Sequence, residues 1–233
     1  MPLKAMPHMR MYQYDAVLFD LDGTLLNTLE DLTNAVNHTL RSFGYPPRTL
    51  GEVRAFVGNG IRKLIERALP GGAADPYMEA ALTEFKRYYT GHCNVRTRPY
   101  EGVTDAMSAL AEAGIKLAVV SNKNDEAVRA LSRAYFGSLV TVAVGGREGV
   151  SRKPAPDMPM LALEALGATP ERSLFVGDSD VDRQTALNTG MDCMLVTWGF
   201  RDREMLAALA PRFLVDDAAE MPALILQGLD EEP

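Results

Sequence analysis

Residues 16–25, Ala16-Val17-Leu18-Phe19-Asp20-Leu21-Asp22-Gly23-Thr24-Leu25, decide the fold. The unbroken apolar run from Ala16 to Phe19 has the length of a strand, and apolarity at every position predicts a strand buried on both faces. Two carboxylates follow at its C-terminal end, at i and i+2. Alternation along an extended chain sends both to one side, so Asp20 and Asp22 share a crevice. Gly23 lets the backbone turn sharply after them. Two like charges in one crevice repel, and a hard cation held by oxygen ligands offsets that repulsion. Taken alone, an Asp-x-Asp pair is more often a solvated acidic turn, so the rest of the chain has to decide.

The chain has 233 residues, 47% of them hydrophobic, enough for one well-buried core and a smaller satellite. Its net charge of −7 argues against a nucleic-acid or anionic-membrane partner, which would need basic patches. No apolar run reaches the length of a membrane span. Met1 to Arg10 lacks the apolar stretch of a signal peptide and reads as a frayed tail, 1–13, with Met9 or Met11 as candidate starts. Cys93 and Cys193 lie far apart in no metal or redox spacing, which suits reduced thiols in a cytoplasmic protein.

Outward from the Asp-x-Asp turn, Leu29, Leu32, Val36, Leu40 and Phe43 recur at helical spacing. Thr28 is the expected N-cap, Glu30 and Asp31 suit the first turn, and Gly44 and Pro46 stop the helix. After Gly58-Asn59-Gly60 a second helix carries Ile61, Leu64, Ile65 and Leu69, and a third runs from about Pro76 to Tyr89. Residues 28–95 therefore read as wholly helical. The flanking chain, 14–27 and 96–233, alternates strand and helix. Strands are expected at Lys116–Val120, near Leu139–Val144, at Ser173–Val176, at Cys193–Val196 and near Phe213–Val215. The predicted fold is an α/β, Rossmann-like parallel sheet with helices on both faces and an inserted all-α cap domain.

Ligands bind such sheets beyond the carboxyl ends of the strands. Three apolar strands end there in Asp20 and Asp22, in Ser121 and Asn122, and in Asp178 and Asp182, and Lys153 lies in a loop on the same side. Each residue has an ordinary explanation of its own: a turn hydroxyl, a solvated loop lysine, an N-cap and a first-turn acid. Together, in this order and at strand ends, they point to one site.

These segments resemble the four motifs of the haloacid dehalogenase (HAD) superfamily of phosphatases and phosphotransferases. They are Asp20-Leu21-Asp22-Gly23-Thr24, Ser121 after its strand, Lys153 in Arg152-Lys153-Pro154, and Gly177-Asp178-Ser179-Asp180-Val181-Asp182. Within it the chain is most similar to the phosphoglycolate phosphatase family. That narrower likeness lies in Phe56-Val57-Gly58-Asn59-Gly60, Leu117 to Lys123 and Val196-Thr197-Trp198-Gly199-Phe200, with Asn27 and Asn124 departing from the pattern.

The resemblance, with the chemistry of the residues, implies a Mg²⁺-dependent phosphatase acting on a small phosphorylated metabolite, 2-phosphoglycolate first, through an aspartyl-phosphate. Asp20 would be the nucleophile and Asp22 the acid and base. Asp20, Asp22 (through its carbonyl) and Asp178 would hold the metal, with Asp182 and Thr24 behind them. Ser121, Asn122 and Lys153 would hold the phosphoryl oxygens. In the cap, Gly58, Asn59 and Gly60 would face the other end of the substrate, and Arg62 or Lys63 would pair with its carboxylate. The protein is expected to be a monomer or homodimer.

Other readings stay open: a pyrophosphatase, a sugar-phosphate phosphatase, a phosphosugar mutase, a phospho-accepting receiver domain or an inactive binding module. Asp22 and the helical insertion weigh against a receiver. Neither a dinucleotide-binding glycine fingerprint nor a P-loop is present.

Overall fold

The computed structural model describes residues 13–227, so the tail expected over 1–13 lies outside the described residues save for Gln13. Eight strands form among the described residues, β1 Ala16–Phe19, β2 Leu26–Asn27, β3 Arg98–Pro99, β4 Lys116–Asn124, β5 Val142–Gly146, β6 Ser173–Gly177, β7 Asp192–Val196 and β8 Phe213–Val215. Between them run ten α-helices among the described residues. The first five are α1 Leu29–Ser42, α2 Leu50–Phe56, α3 Ile61–Ala68, α4 Met78–His92 and α5 Val103–Glu112. The others are α6 Asp125–Phe136, α7 Asp157–Leu166, α8 Asp180–Thr189, α9 Arg203–Ala208 and α10 Met221–Ile225.

Six strands make one parallel sheet in the order β5-β4-β1-β6-β7-β8. β1 is central, as its apolar sequence requires, and all four of its residues are buried. Period-two alternation splits the strands between two cores. Val17, Phe19, Val119 and Val176 pack with Met107 and Leu110 of α5 and Leu131 of α6 on one face. Leu18, Val120, Phe175 and Leu195 pack with Met158 and Leu163 of α7 and Ala186 of α8 on the other. Each fully buried Leu or Phe contributes about 2 kcal/mol by area, so a charge placed at Leu18 or Phe19 would disrupt the sheet's centre. The chain runs outward through β4 and β5 and then returns to the other side of β1 as β6. That reversal opens a crevice over the carboxyl ends of β1, β4 and β6.

The helices α1 to α4 build a separate cluster around Val36, Leu40, Ile65, Ala81 and Phe85, which Phe200 joins from the sheet side. The two chain crossings that lead into and out of these helices pair as an antiparallel ribbon, Leu26 with Pro99 and Asn27 with Arg98. Asp31 fastens the same junction. Buried in the first turn of α1, it accepts the backbone N–H groups of Val95, Arg96 and Thr97 and the Thr97 hydroxyl at 2.8–3.0 Å.

Two local expectations need correction. Thr28 occupies the N-cap position of α1 without capping it, because its backbone is turned to φ −104° and ψ 1°, and its hydroxyl has no hydrogen-bond partner. Asn27 Oδ1 accepts from Leu29 N–H instead, at 3.4 Å. The strand expected near Leu139–Val144 is displaced to Val142–Gly146, after a single turn of 3₁₀ helix at Gly137–Leu139. Gly145 is what lets it extend: a Cβ there would lie 2.4 Å from Asp125 Cα. The sequence reading also passed over α2, although Thr49 and Glu52 form a full capping box at its start.

Candidate active site

The carboxyl ends of β1, β4 and β6 bring the expected residues into one cavity. It is lined by Asp20, Asp22, Ser121, Asn122, Lys153, Asp178 and Asp182 from the sheet, and by Gly58 and Gly60 from the segment between α2 and α3. The cavity is narrow, with about 50 Å³ open to the centres of water-sized molecules. That is room for a few waters.

Lys153 is the charge at the centre. Its Nζ lies 2.7 Å from Asp182 Oδ1 and 2.9 Å from Asp20 Oδ1. The first contact is a hydrogen bond. The second is a close, buried ion pair with Asp20. Burial on its own would strip the proton from Lys153, but the charges of Asp182 and Asp20 outweigh it and hold the ammonium form. Asp182 is tied down at its other oxygen by the Ser179 hydroxyl (2.6 Å) and the Asp178 N–H (3.2 Å), so it orients Lys153 and the loop that carries Asp178.

Asp20, Asp178 and Asp182 can bring one carboxylate oxygen each within 4.8 Å of one another, all three residues being buried or nearly so. Burial, opposed in part by Lys153 and reinforced by the neighbouring carboxylates, pushes Asp20 up to about 6. Burial and the charges of Asp182 and Asp20 raise Asp178 well above the usual carboxylate range. Asp178 is also packed against bare backbone: a Cβ at Gly23 would fall 2.3 Å from its Oδ2, and one at Gly199 would fall 2.4 Å from the same atom. Three converging carboxylates, the raised carboxyls of Asp20 and Asp178 and all-oxygen chemistry together fit a small hard divalent cation.

Around this centre the sequence-predicted residues fall into two groups. Ser121 and Asn122 are buried on the cavity wall. The Asn122 amide donates to Lys153 O at 3.0 Å and to Gly58 O at 3.3 Å, so it joins the sheet to the helical insertion. Thr24 is buried but does not line the cavity; its carbonyl accepts from Trp198 Nε1. The cap assignments divide as well. Gly58 and Gly60 line the cavity, but Asn59 turns away to accept from Arg67. Arg62 is half exposed and pairs with Glu79, because its place on α3 faces α4 and not the crevice. Lys63 pairs with Glu66 on its own helix.

Three residues of the cavity were passed over in the sequence. Lys123 sits in the Ser-Asn-Lys run that ends β4, where the pairing with β5 is irregular between Ser121 and Asn124. Its Nζ lies 3.0 Å from Asp22 Oδ1 and 2.6 Å from the Tyr89 hydroxyl of α4. Arg201 lines the cavity next to Phe200 and donates to Val57 O at 2.8 Å. Lys123 alone carried a signal, since a lysine two residues past a buried strand hydroxyl has few ways to avoid burial.

The sequence model of the family described as haloacid dehalogenase-like hydrolase matches residues 17–196. Phosphoglycolate phosphatase 1 of Pseudomonas aeruginosa is 35% identical over 211 residues, 88% of this chain and 77% of that protein. The phosphoglycolate phosphatase of Agrobacterium fabrum is 35% identical over 216 residues, 89% of this chain and 91% of its own. Among solved structures, one from Lactobacillus delbrueckii subsp. bulgaricus, provisionally described as a phosphoglycolate phosphatase, superposes with a TM-score of 0.88 at 35% identity. It covers 93% of this chain and 99% of its own.

Proposed function

Because the chain belongs to the haloacid dehalogenase-like hydrolases and is a phosphatase, we propose that it hydrolyses 2-phosphoglycolate with Mg²⁺ through an aspartyl-phosphate on Asp20. The observation that carries the reading is the buried cluster of Asp20, Asp178 and Asp182 around Lys153, beside Asp22 and Ser121 in one cavity. The substrate is that of the named relatives.

Asp20, Asp178 and the backbone carbonyl of Asp22 would hold the ion. When bound, Mg²⁺ supplies the positive charge that lets a phosphate dianion approach a carboxylate. Asp20 attacks phosphorus, and the bond from phosphorus to the glycolate oxygen breaks. Asp22 gives a proton to that oxygen. It then takes a proton from the water that attacks the phosphorylated Asp20, and inorganic phosphate leaves with the Asp20 carboxylate restored. Lys153, Ser121 and the backbone of Asn122 hold the phosphoryl oxygens in both steps. Asp182 keeps Lys153 in place.

The test is a panel of phosphate esters in Mg²⁺ buffer, comparing kcat/KM for 2-phosphoglycolate, pyrophosphate and hexose phosphates. The reading expects 2-phosphoglycolate to lead. A hexose phosphate or pyrophosphate in front would replace the substrate while leaving the chemistry in place.

A further inference from the structure

Asp22, alone of the four cavity aspartates, pairs with the second buried lysine, Lys123. Its Oδ1 accepts from Lys123 Nζ at 3.0 Å, and no donor reaches its Oδ2 among the described residues. Lys123 is sealed from water, with only 3% of its side chain exposed. It has a second contact, the Tyr89 hydroxyl at 2.6 Å, and its ammonium also stands 4.6 Å from the centre of the Tyr89 ring. Tyr89 belongs to α4, in the helical insertion, while Lys123 and Asp22 belong to the sheet. Tyr89 is held in turn by Phe85, one helical turn earlier, with ring centroids 5.2 Å apart. A line of contacts thus runs from the core of the insertion to the Asp22 carboxylate.

We propose that Lys123 and Tyr89 are positioning residues for Asp22, and that the insertion completes the proton-transfer apparatus through the Tyr89 hydroxyl. The proposal rests on the role given to Asp22 above. A carboxyl group has two oxygens and can present its proton on either. With Oδ1 occupied by the Lys123 ammonium, the proton is confined to Oδ2, the oxygen left free. The ammonium is itself free to rotate on a long stem, and a lysine needs further partners to stay in one place. The Tyr89 hydroxyl and ring supply them from the opposite side of the cavity. If α4 moves away, Lys123 loses that anchor and Asp22 loses its fixed orientation. Proton transfer is then efficient only while the insertion covers the site. This couples closure to chemistry through one buried lysine.

The readout is the dependence of log kcat/KM on leaving-group basicity, measured with ethyl, 2-chloroethyl and 2,2,2-trifluoroethyl phosphate. A poor leaving group needs the proton of Asp22, and a good one needs it less. Tyr89→Phe and Lys123→Met are expected to steepen that dependence, with ethyl phosphate losing about tenfold more than trifluoroethyl phosphate. A purely structural role would lower all three esters by one factor, and parallel lines in Tyr89→Phe would overturn the proposal, as would unchanged rates. Tyr89→Phe keeps the buried ring and so tests the idea even where Lys123→Met fails to fold. Asp22→Asn is the control for the underlying reading. A steep line in Asp22→Asn with parallel lines in the other two variants removes the positioning roles alone, whereas a wild-type line in Asp22→Asn removes the acid role itself.

Discussion

Lys153 Nζ donates to Asp182 Oδ1 across 2.7 Å, with 2% and 1% of the two side chains exposed. A buried pair of this kind is costly to break, because the surviving charge has no water to turn to. Asp182 also accepts from Ser179 Oγ and Asp178 N–H. Asp182→Ala should therefore destabilise the fold by about 3 kcal/mol, read as a lower urea midpoint, and should depress kcat because Lys153 is no longer aimed. An unchanged midpoint would mean that Asp20 alone satisfies Lys153.

The backbone beside Asp178 leaves no room for a methyl group. At Gly199 a Cβ would lie 2.4 Å from both Asp178 Cβ and its Oδ2, and 2.5 Å from Gly23 O. Gly199→Ala should push Asp178 out of place and weaken Mg²⁺ binding by roughly tenfold or more, as displaced metal-site supports do. Titration calorimetry would measure it. Gly51→Ala is the matching control, since nothing lies within 4 Å of the added atom, and its Mg²⁺ affinity should equal wild type.

If Asp20 holds the ion, protons and the ion compete for it. Its carboxyl is raised from 3.8 to about 6, chiefly by burial. A carboxyl raised on folding binds more protons in the native state across that window. The metal-free protein therefore loses stability as pH rises from about 4 to about 6, and no further from this group above that. A bound cation offsets the loss only where Asp20 is ionised. The gain in Tm on adding Mg²⁺ should be larger at pH 7.5 than at pH 5. Equal gains at both would contradict the assignment of Asp20 as a ligand.

Two arginines clasp the insertion to the sheet in opposite directions. Arg54 of α2 donates to Gly199 O and Arg201 O and pairs with Asp202 at 3.0 Å. Arg201 donates back to Arg54 O and Val57 O. Replacing Arg201 by Ala removes one half of the clasp, so amide exchange over residues 54–60 should speed up and KM should rise with a smaller change in kcat. Unaltered exchange there would show that Arg54 and the packing of Phe200 hold the insertion down without it.

The parallel sheet and its central strand were legible because Ala16 to Phe19 is apolar at every position, which only a doubly covered strand tolerates. The convergence of Asp20, Ser121, Lys153 and Asp178 followed from parallel strands ending on one edge. What stayed hidden depended on side-chain direction. Arg62 lies close in sequence to Gly58 and Gly60, yet the phase of α3 aims it at Glu79. Lys123 and Tyr89 are 34 residues apart on different elements, and nothing local says that they touch. Asn124 shows the reverse case: a departure from the family pattern, it caps α6 by accepting from Glu126 and Ala127 N–H.

The account stands or falls on a covalent bond to Asp20. Enzyme mixed with 2-phosphoglycolate carrying a radiolabelled phosphoryl group, quenched in acid within one turnover and digested, should yield label on the peptide that contains Asp20 and none in Asp20→Asn. Label on any other residue, or full turnover by Asp20→Asn, would contradict it.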